Sequence, residues 1–226
     1  MAEFIYLSFL LLSFLQIFIY LFVLGPFAYS ATPVFQQSKT LKISVIIAAR
    51  NEYENLKRLL PKLDEQVYPN FEVIIANDRS EDNTAGLLEE WMSKVQWLKV
   101  VSIFNVPQGI NSKKYALTQA IEKAAGEILI LTDADCLPFT NHWINTISST
   151  YTDDIEIVIG YSNYETDTSL LNYCIRWETF FTAVQYFSLA YIGLPYMGVG
   201  RNLSYRKNLF IKNKGFNKIA SITGGD

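Results

Sequence analysis

The sequence predicts an α/β protein, a mostly parallel sheet flanked by helices, preceded by one apolar N-terminal helix. Three observations carry this. From residue 42 onward, short aliphatic runs alternate with segments of helical spacing, the pattern of parallel strands joined by crossover helices. Polar and acidic residues collect just after those runs, and in open parallel sheets ligands bind outside the carboxyl ends of the strands. Phe4 to Leu24 holds no charged residue, and about 20 apolar residues in a helix span the ~30 Å hydrocarbon core of a bilayer.

No Lys or Arg precedes that first run, and it exceeds the usual apolar length of a secretory signal. Residues 1–26 are therefore expected to be a retained transmembrane anchor, with Gly25-Pro26 ending the helix. Residues 27–40 read as a linker. The basic residues that follow, Lys39, Lys42, Arg50, Lys57 and Arg58, place the domain at 41–226 on the cytoplasmic side by the positive-inside bias.

Within that domain, Lys42 to Ala49 reads as a strand, and Glu54 to Leu63 as a helix with Leu56, Leu59, Leu60 and Leu63 on one face. Strands at Phe71–Ala76 and Leu98–Ile103 bracket a helix at Thr84–Trp91. A third helix, Lys113–Ala125, aligns Ala116, Leu117, Ala120, Ile121 and Ala124. Ile128 to Leu131, four consecutive aliphatics, read as a strand buried on both faces. A further strand is expected at Ile155–Tyr161. Tyr173 to Met197 is dense in aromatics and carries no charge between Glu178 and Arg201, while Gly193 and Pro195 interrupt it. It is expected to be a helix facing the membrane interface or an acceptor rather than a second span, with a plain core helix as the alternative.

Composition narrows the chemistry. A net charge of −3 and a pI near 5.3 give no basis for a nucleic-acid partner. Two cysteines, Cys136 and Cys174, do not make a zinc site or a disulfide framework, and suit a reducing compartment. The single histidine, His142, excludes His-rich metal sites and argues against a His-based triad. It is expected in the first turn of a helix after residue 135.

The chemistry concentrates at three strand ends. Asp133 and Asp135 follow the Ile128–Leu131 run at i, i+2, so in extended chain both carboxylates point to one side. Neighbouring acids repel unless a cation lies between them, so the pair reads as a clamp for Mg²⁺ or Mn²⁺ or, equally, as a polar turn after a buried strand. Asp78 ends the second strand, where a carboxylate can accept from the N–H of a planar base. Ser80 and Asp82 just beyond it read equally well as helix caps.

The ordered set Ser44-Val45-Ile46-Ile47-Ala48-Ala49-Arg50-Asn51-Glu52, Ile74 to Thr84, Lys113-Lys114-Tyr115-Ala116-Leu117 and Thr132-Asp133-Ala134-Asp135 resembles the family 2 glycosyltransferases of GT-A fold, a Rossmann-like architecture. The resemblance runs over about residues 41 to 226. It implies a nucleotide-diphosphate-sugar donor, usually UDP-linked, a divalent metal, and inversion at the anomeric carbon. It further implies that Ala48, Arg50 and Glu52 surround the nucleoside, Asp78 recognises the base, and Lys113 or Lys114 lies near the pyrophosphate, Lys113 being preferred. Asp133 would lie near ribose and metal, and Asp135 would ligate the metal. Many members have Pro-Thr-Tyr-Asn-Glu where this chain has Ala48-Ala49-Arg50-Asn51-Glu52, and an Arg there can stack on a base in place of the ring.

Gly198 to Lys207 resembles the segment bordering the donor-sugar and acceptor pocket, which singles out Gly200 and Asn202. Lys212-Asn213-Lys214-Gly215-Phe216 resembles the Gly-Gly-Phe turn after it, with Lys214 replacing one Gly. Asp226, the last residue, matches the family's general base, so the chain reads as truncated on its carboxyl-terminal side. The resemblance thus implies a membrane-bound enzyme with a lipid or glycan acceptor. The alternative is a catalytically inactive nucleotide-sugar-binding membrane module. A nucleotidyltransferase would carry a Gly-rich loop after the first strand, and an Asp-X-Asp phosphatase a Thr where Cys136-Leu137 stand.

Overall fold

The computed structural model describes residues 1–30, 40–217 and 221, and the chain divides into two compact units, Met1–Val34 with Tyr161–Gly198 and Phe35–Gly160 with Val199–Asp226. In the first unit, α1 (Ala2–Phe18), a π-helical stretch (Ile19–Leu24) and α2 (Gly25–Ala28) follow one another without a break. The stretch Ala2–Ala28 is long and apolar enough to cross a membrane, and none of its most apolar window is buried. Length and composition alone do not separate a span from a signal sequence. Gly25-Pro26 does not end this helix. The wider turn lets the Gly25 N–H reach the Tyr20 carbonyl five residues back, and Pro26 enters at the start of α2, where its missing N–H costs nothing.

The second unit is built on one sheet. In chain order it contains β1 (Ile43–Ala49), α3 (Tyr53–Asp64), β2 (Phe71–Asp78), α4 (Thr84–Lys94), β3 (Leu98–Ile103), α5 (Ser112–Lys123), β4 (Ile128–Leu131), α6 (Trp143–Thr150) and β5 (Ile157–Ile159). After α7 (Leu170–Tyr191), which belongs to the first unit, come β6 (Leu203–Arg206) and α8 (Lys207–Lys212). The strand order is β3-β2-β1-β4-β6-β5, with the first four parallel and β6 antiparallel to both its neighbours. The expected mostly parallel sheet is therefore present, with β6 as an unforeseen reversed strand. The expected strand at residues 155–161 pairs only over Ile157–Ile159, at the sheet edge, where half of the Ile157 surface stays exposed.

Strands β1, β2 and β4 are buried on both faces, which is why they read as continuous aliphatic runs. Ile43, Val45 and Ile47 join Val73, Ile75, Ile128 and Ile130 under the leucines of α3 and the apolar faces of α4 and α6. Ile46, Ile74, Leu129 and Leu131 turn the other way, against Ala116, Leu117, Ala120 and Ile121 of α5. The strand order reverses direction between β1 and β4. That switch point opens a crevice at the carboxyl ends of the strands.

At the opposite end a polar knot joins the strand starts. Glu72 is buried and accepts from Ser44 Oγ at 2.7 Å, the Ala125 amide at 2.6 Å and Lys99 Nζ at 2.6 Å. The Gly126 amide in turn donates to Ser44 Oγ at 2.8 Å. A Cβ at Gly126 would lie 2.5 Å from the Ser44 amide nitrogen. Gly126→Ala is accordingly expected to lower stability by about 1–3 kcal/mol through overpacking, read as a lower urea midpoint at unchanged m-value.

Candidate functional site

Two strained turns shape the crevice. Asn51, two residues after β1, and Arg79, the residue immediately after β2, both take left-handed backbone conformations, with φ of 57° and 53°. Non-glycine residues at positive φ persist only where surrounding contacts hold them, and they cluster at functional sites. Here the contacts are mutual. The Asn51 amide donates to Ser80 Oγ at 2.9 Å, and the Glu81 amide donates to Asn51 Oδ1 at 2.7 Å.

Asp82 completes the lock. Its carboxylate accepts from the Tyr53 amide at 3.1 Å and the Thr84 amide at 3.0 Å, tying together the first residues of α3 and α4. Burial pushes its pKa up, but the bonds from Thr84 and Tyr53 outweigh this and hold it below the usual carboxylate range. Thr84 Oγ1 also accepts from the Glu52 amide at 3.1 Å. Ser80 and Asp82 thus brace the two loops and the first residues of α3 and α4, but neither is the cap of α4 that the sequence allowed, since Asn83 takes that position.

A cleft of about 270 Å³ lies between these turns, the start of α5 and the end of β4. Of the residues singled out in the sequence, Ala48, Arg50, Glu52, Asp78, Lys113, Asp133 and Asp135 line it. Ala49, Ser112, Ala116 and Ala134 line it too, and sequence reasoning did not select them. The signal for Ser112 was local. Asn111 caps α5 by accepting from the Lys114 amide at 3.2 Å, which sets the first helical turn against the cleft.

Lys113 Nζ lies 2.9 Å from Asp133 Oδ1. Asp133, Asp135 and Cys136 present ligand atoms within 4.8 Å of one another. The Cys136 thiol is pushed up to about 12, by burial first and then by the charges of Asp135 and Asp133. It donates to Asp135 Oδ1 at 3.4 Å. The two carboxylates supply the hard oxygen donors that suit Mg²⁺ or Mn²⁺.

Asp78 is only 4% exposed, and Arg79 grips both its oxygens, Nε to Oδ1 at 2.7 Å and Nη2 to Oδ2 at 3.2 Å. The sequence pointed to Asp78 but not to this partner. Each carboxylate oxygen retains a second lone pair, so the grip orients the acid without filling it.

Lys114, Gly200 and Asn202 fall elsewhere. Lys114 is buried and does not line the cleft, whereas Lys113 does. Gly200 and Asn202 form a 3-10 turn before β6 that is not part of the cleft wall. Asn202 Oδ1 accepts from the Trp143 indole at 3.1 Å, and its carbonyl accepts from the Gly160 amide at 2.8 Å. A Cβ at Gly160 would collide with the Asn202 side chain. Asn202 therefore braces β5 and β6 against α6. His142 is the cap of α6, one residue outside its first turn. Asp226 lies outside the described residues.

A doubly wound sheet with an acid-lined crevice at its switch point defines an α/β protein of the GT-A class, and solved structures agree. A mannosyltransferase of Pyrobaculum calidifontis, solved with GDP-Man and Mn²⁺, superposes with a TM-score of 0.71 at 18% identity, over 95% of this chain and 59% of that one. Residues 1–349 of Staphylococcus aureus TarS with UDP-GlcNAc give 0.50 at 21% identity, over 77% and 48% of the two chains.

The family model for glycosyl transferase family 2 matches residues 44–210, and the chain belongs to that family. It is 31% identical to the probable glycosyltransferase YdaM of Bacillus subtilis over 99 residues, 43% of this chain and 23% of that protein. It is 35% identical to a beta-monoglucosyldiacylglycerol synthase of Trichormus variabilis over 95 residues, 41% and 20% of the two. The matched region thus spans about a fifth to a quarter of these two relatives.

Proposed function

We propose that this chain binds a nucleotide-diphosphate sugar, UDP-linked in our reading, and transfers the sugar with inversion to a hydroxyl of a lipid or glycan acceptor. The observation that carries this is the convergence of Asp78, Lys113, Asp133 and Asp135, from three strand or helix ends, on one cleft. Asp78 accepts from the base, held for that task by Arg79. Arg50 and Glu52 flank the nucleoside, with Ala48 giving the backbone close approach. Lys113 faces the diphosphate, aided by the first turn of α5, since helix starts favour anions.

Asp135, with Asp133, would hold Mg²⁺ or Mn²⁺, and such a cation offsets charge gathering on a departing diphosphate. Before donor arrives, Lys113 partly neutralises Asp133 and keeps the acid pair from repelling itself. Asp226 is assigned the proton of the attacking hydroxyl, and Gly200 and Asn202 the border of the sugar pocket. The mannosyltransferase neighbour carries GDP-Man with Mn²⁺ and TarS carries UDP-GlcNAc, so the fold accommodates more than one base. In our reading residues 1–26 anchor the protein, residues 27–40 link the anchor to the domain at 41–226, and the cleft faces the cytoplasm.

A thermal-shift screen of nucleotide-diphosphate sugars with Mg²⁺ or Mn²⁺ tests the reading. A matching donor at about 100 times its Kd stabilises by ~2.7 kcal/mol, a clear rise in Tm. Flat melting curves across UDP-, GDP- and other nucleotide-linked sugars with either cation would overturn it.

A further inference from the structure

The first half of helix α7 is amphipathic in the wrong sense for a protein surrounded by water. Over its first half, Leu170, Leu171, Tyr173, Trp177, Phe180 and Phe181 are exposed, at 79, 69, 66, 59, 50 and 39%. At about 100° per residue these six share one half of the helix circumference. The other half, in the same turns, carries Asn172, Arg176 and Thr179 together with Ile175, all partly covered. Arg176 Nε is shut off from solvent, and Thr179 Oγ1 turns back to the Ile175 carbonyl at 2.8 Å. Apart from Ile175, polar groups are drawn inward and the large apolar groups lie outward, which is the arrangement of a helix whose outer face meets an apolar medium. Glu178, at the margin of the exposed half, is its one charged side chain.

We infer that this face is a membrane-contact surface, with the first half of α7 lying in the headgroup zone of a bilayer. Two features choose lipid over a second copy of the chain. The first is continuity. The same compact unit holds the apolar stretch Ala2–Ala28, and Phe27 at its end stacks on Phe187 at 5.4 Å and meets Tyr191 edge-on at 6.4 Å. The second is composition. Tyr and Trp bodies with polar tips gather at membrane interfaces, and Trp177 forms a stacked cluster with Phe181 and a tilted pair with Phe180. The helix contacts the bilayer without crossing it. Arg176 and Glu178 interrupt its apolar run, and a Schellman ending at Gly193, with Leu194 N–H on the Leu189 carbonyl at 2.8 Å, closes it.

The test uses the full chain reconstituted in phosphatidylcholine vesicles brominated either near the headgroup or deep in the acyl chain. Trp177 is expected about 5–10 Å into the headgroup and acyl boundary, so shallow bromines should quench it more strongly than deep ones. The conservative variant Trp177→Phe should lose that shallow-quenched component. Equal quenching in wild type and Trp177→Phe would overturn the proposal, as would stronger quenching by deep bromines. Oxidative cross-linking of the exposed Cys174 between copies, with Trp177 emission untouched by bromine, would assign the face to a second copy instead.

Discussion

Asp135→Asn is expected to abolish metal-dependent binding of nucleotide diphosphate and to lower kcat/KM by about 10³-fold, or ~4 kcal/mol of transition-state stabilisation. The substitution is isosteric and Asp135 is exposed, so the fold should melt as the wild type does. What changes is the donor set. Asp133 keeps its ion pair with Lys113, and one carboxylate beside a soft sulfur donor is a poor site for a hard cation. Calorimetry with and without Mn²⁺ reads the loss directly. Unchanged binding in the variant, with the cation present, would remove the metal assignment and leave Asp135 as a polar turn residue. The contrast with Lys113→Ala is informative. That change removes a positive charge from the cleft, so it should weaken diphosphate binding even without added cation.

Strands β1, β2 and β4 were legible because burial on both faces forces nearly unbroken aliphatic runs, as in Val45-Ile46-Ile47 and Val73-Ile74-Ile75. The acidic strand ends were legible for a related reason, since charge immediately after such a run has few structural uses. β6 was not legible. It has four residues, it is antiparallel, and Ser204 hides its alternation by accepting the Tyr151 hydroxyl at 2.8 Å inside the core. The helix through Pro26 was misread because a π-turn removes the clash that normally stops a helix there. Arg79 was missed because its role depends on a left-handed backbone that no neighbouring glycine signals. Asn202 matched a motif, yet its partners Trp143 and Gly160 lie more than forty residues upstream, a proximity that only the folded sheet creates.

Glu72→Gln is expected to cost about 2 kcal/mol at neutral pH, because an amide nitrogen would then face donors at a buried position. Burial raises the Glu72 pKa, but hydrogen bonds from Lys99, Ser44 and the Ala125 amide together outweigh it and leave the carboxyl below its usual range. A group whose folded pKa is depressed contributes stability above its unfolded pKa and loses it as pH falls through the folded value. The wild type should therefore weaken with acidification below about pH 4.5 through this residue, while the variant, which cannot titrate there, does not share that loss. Their urea midpoints should be well separated at neutral pH and converge in acid. Lys99 is half exposed, so its share of the effect is screened and should shrink in salt, whereas the Ser44 and Ala125 bonds should not. A separation that stayed constant from neutral pH into acid would mean that Glu72 acts through packing alone. Convergence that vanished in high salt would mean the Lys99 pair dominates, and the buried bonds at the strand starts would then contribute little.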